Sequence, residues 1–152
     1  MKNLKQFVAS VLENDGATFN INTGIAPTEG YVVADGKNEV LVRGALGRPD
    51  GEIRLTESVR NFILDNAGSF SLEGNFIGGW VDGGAIVLDV VQVVEARKDA
   101  VLLGLRRNQQ AIYDLNEGKD IALPSKRQNT GTDAQKDAYI KLLARQVVDG
   151  LK

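Results

Sequence analysis

Phe76-Ile77-Gly78-Gly79-Trp80-Val81-Asp82-Gly83-Gly84-Ala85-Ile86-Val87-Leu88-Asp89-Val90-Val91 predicts a β-hairpin. Two apolar runs rich in β-branched residues flank paired glycines, and glycine supplies the positive φ that two-residue hairpin turns need. With Gly83-Gly84 as the turn, Val81 faces Ile86, Trp80 faces Val87 and Gly78 faces Asp89. Side chains alternate across a sheet, so Ile77, Val81, Ile86, Leu88 and Val90 share one apolar face. Phe76, Trp80, Asp82, Val87, Asp89 and Val91 share the other. The second strand is apolar almost throughout, as a central strand covered on both faces would be.

On the second face, Gly78 leaves room beside Asp89, with Trp80 at its flank. A recess with a carboxylate at its base and an indole wall suits a small cationic or hydrogen-bonding group. Gly78, Trp80, Asp82 and Asp89 are therefore the candidate ligand or partner face. The competing expectation is structural: a carboxylate in a central strand accepts bonds from an arginine, a tyrosine or a backbone N–H.

Downstream, residues 96–108 predict a helix whose middle, Ala100 to Leu105, is buried and covers the apolar face of the hairpin. Gly104 inside it costs roughly 1 kcal/mol relative to alanine, which implies close backbone packing on the sheet. Ala111-Ile112-Tyr113-Asp114-Leu115 predicts a further strand, so residues 85–115 suggest a parallel β-α-β crossover. Upstream, Leu4, Phe7, Val8, Val11 and Leu12 recur at helical spacing behind a possible Asn3 cap. Thr18 to Asn22 alternates as a strand. Tyr31–Ala34 and Val40–Val42 flank Asp35-Gly36-Lys37-Asn38 as a second hairpin. Thr56 is a candidate cap for a helix carrying Val59, Phe62 and Ile63. The fold class expected is α+β: a mixed sheet of about five or six strands with packing helices.

Three parts follow along the chain: a globular domain over 1–121, a polar linker over 122–131 and a C-terminal amphipathic helix over 132–152. Thr132 and Gln135 stand at capping-box spacing. Tyr139, Leu142, Leu143, Val147 and Leu151 form the stripe of that helix, which either covers the open face of its own domain or packs on a partner or a second copy.

Composition narrows the chemistry. The 152 residues carry a net charge of −2, without cysteine or histidine. The pI of about 5.2 is far from the basic excess that phosphate-driven nucleic-acid binding calls for. Missing histidine and cysteine remove the commonest general base, the thiolate nucleophile and the usual zinc ligands. Asp82, Asp89, Glu95 and Asp99 match no metal-loop spacing, and the glycine pairs lack the Lys-Ser/Thr of a phosphate loop. No catalytic residue, metal or cofactor is expected. The N-terminus leads into an amphipathic segment rather than a signal-peptide core, and no window reaches the length of a membrane span, so a cytoplasmic location is expected.

Gly78-Gly79-Trp80-Val81-Asp82, Leu88-Asp89-Val90, the alanine-containing helix, Asn108-Gln109 and Ala111–Leu115 together resemble uncharacterised small accessory proteins of actinobacterial phages and prophages. The resemblance spans about residues 59–121. It implies a phage-encoded protein made in a bacterial cytoplasm and carries no catalytic role to any residue. The expectation is non-catalytic binding of a host or phage protein through the Trp80/Asp89 face and the C-terminal helix, or self-association through the C-terminal helix. Two alternatives are a virion structural or decoration protein and a small carboxylate-based hydrolase or nucleotide-binding enzyme.

Overall fold

The computed structural model describes residues 3–125 and 131–151. In chain order the elements are α1 (Leu4–Asn14), β1 (Gly16–Phe19), β2 (Tyr31–Arg43), α2 (Gly51–Asp65), α3 (Ala67–Phe70), β3 (Asn75–Asp82), β4 (Ala85–Val94), α4 (Arg97–Arg106), β5 (Ala111–Asp114), β6 (Lys119–Ala122) and α5 (Asp133–Gly150). The six strands are ordered β1-β3-β4-β2-β5-β6. The β1–β3, β3–β4, β2–β5 and β5–β6 ladders are antiparallel. The α+β class is as expected. The strand–helix–strand succession over 85–115 is present too, but β5 pairs with β2, which stands between it and β4 in the strand order.

The chain divides into two compact units, one of residues 3–27 and 37–92, the other of residues 28–36 and 93–151. In the first, α1 packs Phe7, Val8 and Val11, and α2 packs Leu55, Val59 and Phe62, into one cluster with Ile77, Ile86, Leu88 and Val90. The apolar face of the hairpin is thus covered by α1 and α2, not by the helix predicted over 96–108. Period alone identifies a face to be buried, not the element that buries it. Gly79 is where α1 comes closest: a Cβ there would lie 3.0 Å from Val11 Cγ2 and 3.1 Å from Phe7 Cζ.

In the second unit, Ala100, Val101 and Leu105 of α4 join Tyr31, Val33, Ile112, Ile121, Leu123, Leu143 and Ala144. Gly104 makes the close approach its sequence position implied, since a Cβ would sit 2.7 Å from Leu123 Cδ1 and 2.9 Å from Ile112 Cγ2. The capping box of α5 forms: Thr132 Oγ1 accepts from the Gln135 N–H at 3.2 Å, and Gln135 Oε1 accepts from the Thr132 N–H at 2.8 Å.

Three expectations need correction. Tyr31–Arg43 is a single strand rather than a hairpin, and Gly36 within it takes a φ of 76°. The helix assigned to a Thr56 cap begins at Gly51, and Thr56 Oγ1 instead donates to the Glu52 carbonyl one turn back at 2.7 Å. The 122–131 linker is preceded by β6, and Ala122 and the buried Leu123 still belong to folded structure; residues 126–130 lie outside the described residues.

Candidate functional site

The β3–β4 ladder has the register expected, with Gly78 opposite Asp89, Trp80 opposite Val87 and Asp82 opposite Ala85. Gly83 sits at φ 62°, the positive value that the first central position of a primed hairpin turn requires. Gly78, Trp80, Asp82 and Asp89 therefore share a face, as the alternation dictates. Asp89 is 2% exposed, while Val87 and Val91 beside it are buried as well.

The space expected beside Gly78 is filled. A Cβ on Gly78 would lie 2.9 Å from Val91 Cγ1 and 3.5 Å from Trp80 Cζ3, so valine and indole occupy the volume that a ligand would need. The sequence could locate the missing side chain of Gly78, but not the rotamers that close over it.

Asp82 and Asp89 do not form a working pair. Asp82 is exposed at the turn, and the residue opposite Asp89 is Gly78, four positions further along β3. At roughly 3.3 Å per residue that is a separation of roughly 13 Å along the strand, beyond the reach of a carboxylate dyad. Among the described residues, no group of three or more metal-ligating side chains could hold an ion.

The α5 stripe packs on its own unit. Leu143 and Ala144 are buried in the second cluster, and Tyr139, Val147 and Leu151 are half-buried against it, while Leu142 stays 51% exposed. Arg106 Nη2 donates to Asp137 Oδ1 at 2.9 Å, fastening α4 to α5, and Lys141 Nζ lies 2.9 Å from Asp137 Oδ2. Hydrogen bonds from Lys141 and then Arg106 hold the Asp137 carboxyl below its usual value of 3.8. Arg107 Nη1 donates to the Ala34 carbonyl at 3.2 Å.

No family model, curated protein or solved structure matches the chain.

Two features went unpredicted. One is a cleft of about 260 Å³ at the end of α4, lined by Leu105, Asn108, Gln109, Gln110, Leu123, Pro124 and Ser125. The other is the outer half of β2. β5 pairs with β2 at Tyr31 and Val32, the first two residues of that strand. Beyond Gly36, Val40 is 42% and Leu41 48% exposed, although consecutive strand residues face opposite ways. Val42 turns back into the core of the first unit. Val40-Leu41-Val42 was visible in the sequence, but assigning it to a hairpin gave it a partner strand that it does not have.

Among the described residues, no helix is long and apolar enough to cross a membrane.

Proposed function

We propose that the chain is a phage-type accessory protein of the bacterial cytoplasm that acts by binding protein rather than by catalysis, docking its partner along the outer half of β2. The observation that carries this is the exposure of Val40 and Leu41, on opposite faces, in a stretch of β2 well beyond Tyr31 and Val32, where β5 pairs. An open edge presents unpaired N–H and C=O groups to another chain, and exposed apolar side chains on both faces add burial to those backbone bonds. The likeness of residues 59–121 to phage accessory proteins supports the phage attribution. The filled space at Gly78 and the separation of Asp82 from Asp89 favour binding over carboxylate catalysis.

A pull-down from bacterial lysate with the wild-type chain, Leu41→Lys and Leu142→Lys tests it. The expected result is a partner retained by the wild type and by Leu142→Lys and lost with Leu41→Lys. Equal recovery by all three, or none at micromolar concentration, would contradict strand docking.

A further inference from the structure

We infer that Asp82-Gly83 is a site of spontaneous covalent modification, where the chain converts its own aspartate to isoaspartate through a cyclic imide. This chemistry is independent of strand docking. Asp15, Asp35, Asp50, Asp82 and Asp149 each precede a glycine, and no asparagine does.

In such a pair the glycine main-chain nitrogen attacks the aspartate Cγ. An N–C bond forms, one carboxyl oxygen leaves as water, and a five-membered imide results. Water then opens either carbonyl. Cleavage at Cγ restores aspartate, and cleavage at the main-chain carbonyl leaves isoaspartate. Water is lost and then regained, so the composition is unchanged. Glycine favours the step because no Cβ hinders its nitrogen and its backbone turns freely.

Four of the five pairs are held in place. Asp15 ends α1 at φ 62°, and its carbonyl accepts from the Val81 N–H at 3.0 Å. A Cβ on Gly16 would lie 3.5 Å from the Gly79 carbonyl oxygen. Gly36 lies within β2, where a Cβ would come 3.0 Å from the Arg107 carbonyl oxygen. The Gly51 N–H donates to the Arg48 carbonyl at 3.1 Å, and Arg54 Nε donates to Asp50 Oδ2 at 3.2 Å. Asp149 and Gly150 belong to the last turn of α5.

The β3–β4 turn is open by comparison. Asp82, Gly83 and Gly84 are exposed, and nothing lies within 4 Å of the Cβ position of either glycine. The Gly83 N–H donates to no backbone carbonyl among the described residues. Exposed loop tips are also where a chain is most mobile, so the nitrogen and the carboxyl can meet and water can reach the imide. The product carries one extra main-chain carbon between Asp82 Cα and the Gly83 nitrogen. Loop length sets hairpin register, so the Asp82–Ala85 pair that closes the ladder is disrupted.

The test incubates full-length wild type and Asp82→Glu for weeks at physiological temperature and mildly acidic pH, folded or in urea. Isoaspartate is then labelled with an isoaspartate-specific methyltransferase and located by tryptic mapping. Cleavage after Arg60 and Arg97 isolates residues 61–97, whose one Asp-Gly pair is 82–83. The glutamate variant can close only a six-membered imide, which forms far more slowly. In the folded wild type, peptide 61–97 should carry several-fold more label than any other. In urea the label should spread over all five pairs. Asp82→Glu should lose the label on 61–97 while keeping its circular dichroism and melting temperature. Folded wild type without label on 61–97, or with as much on another Asp-Gly peptide, overturns the assignment. So does label on 61–97 that survives Asp82→Glu.

Discussion

Gly78 lies directly opposite Asp89 across the β3–β4 ladder, and Val91 and the Trp80 indole fill the space that a side chain on Gly78 would take. The sign of one substitution therefore distinguishes a filled site from an open recess. Alanine in a strand gains about 0.5–1 kcal/mol over glycine in backbone entropy. Overpacking a well-filled site costs about 1–3 kcal/mol. Because Val91 is β-branched and buried, it has little room to yield, so Gly78→Ala should destabilise by about 1 kcal/mol in urea unfolding followed by Trp80 emission. Stabilisation would show that the space is open.

The same comparison applies to two helical glycines. In Gly104→Ala, a gain of about 1 kcal/mol in helix propensity opposes a collision with Leu123 and Ile112. Leu123 Cδ1 can swing away, but Ile112 Cγ2 is fixed at a branched carbon, so a net loss of about 1 kcal/mol is expected. Gly68 in α3 has nothing within 4 Å of its missing Cβ, so Gly68→Ala should stabilise by about 0.4–1 kcal/mol. Thermal melts of the two variants, run together, check the opposite signs.

Neighbouring leucines on α5 should behave differently. Leu143 is 9% exposed within the second cluster, and Leu143→Ala should cost about 2–4 kcal/mol. Leu142 is 51% exposed, so Leu142→Ala should fall within about 0.5 kcal/mol of wild type. Denaturant midpoints at a fixed, low protein concentration would report this. Comparable losses at both positions would mean that the helix docks in another rotation.

Acid should loosen the fastening of α4 to α5. The Asp137 carboxyl in the folded chain titrates below its usual value of 3.8, because it accepts hydrogen bonds from Lys141 and Arg106. Its contribution is therefore fully present above the unfolded value and is lost as pH falls through the lower, folded one. The carboxyl is still open to solvent, its side chain 41% exposed, which makes the effect small and sensitive to salt. Melting curves from pH 5 down to pH 2 should show a steeper loss for the wild type than for Asp137→Asn, with the difference shrinking in high salt.

Local signals in the sequence were strong where the physics is local. Gly83-Gly84 and strict alternation set the β3–β4 register to the residue, and Thr132 with Gln135 marked the start of α5. Gly104 announced a close approach because only packing offsets glycine inside a helix. Where two local readings compete, tertiary context decides. Asp35-Gly36-Lys37-Asn38 has turn chemistry, yet it lies inside one strand, with Gly36 at a positive φ. Thr56 resembles a cap but bonds back within α2. Lys119-Asp120-Ile121-Ala122 carries a single large apolar residue, so β6 has no periodicity to detect and exists through its ladder with β5. The helices that cover the hairpin, and the side chains that close the Gly78 space, depend on contacts distant in sequence.

Amide hydrogen exchange of residues 39–43, followed with and without the protein recovered in the pull-down, tests most directly the claim that this stretch of β2 works as a docking edge. Outward-facing N–H groups of an open edge exchange with water, and strand addition ties them into a ladder. Strand docking predicts that these amides slow when that partner is added to the wild type but not when it is added to Leu41→Lys. Exchange that stays fast in both with the partner present, or is slow in both without it, would contradict it.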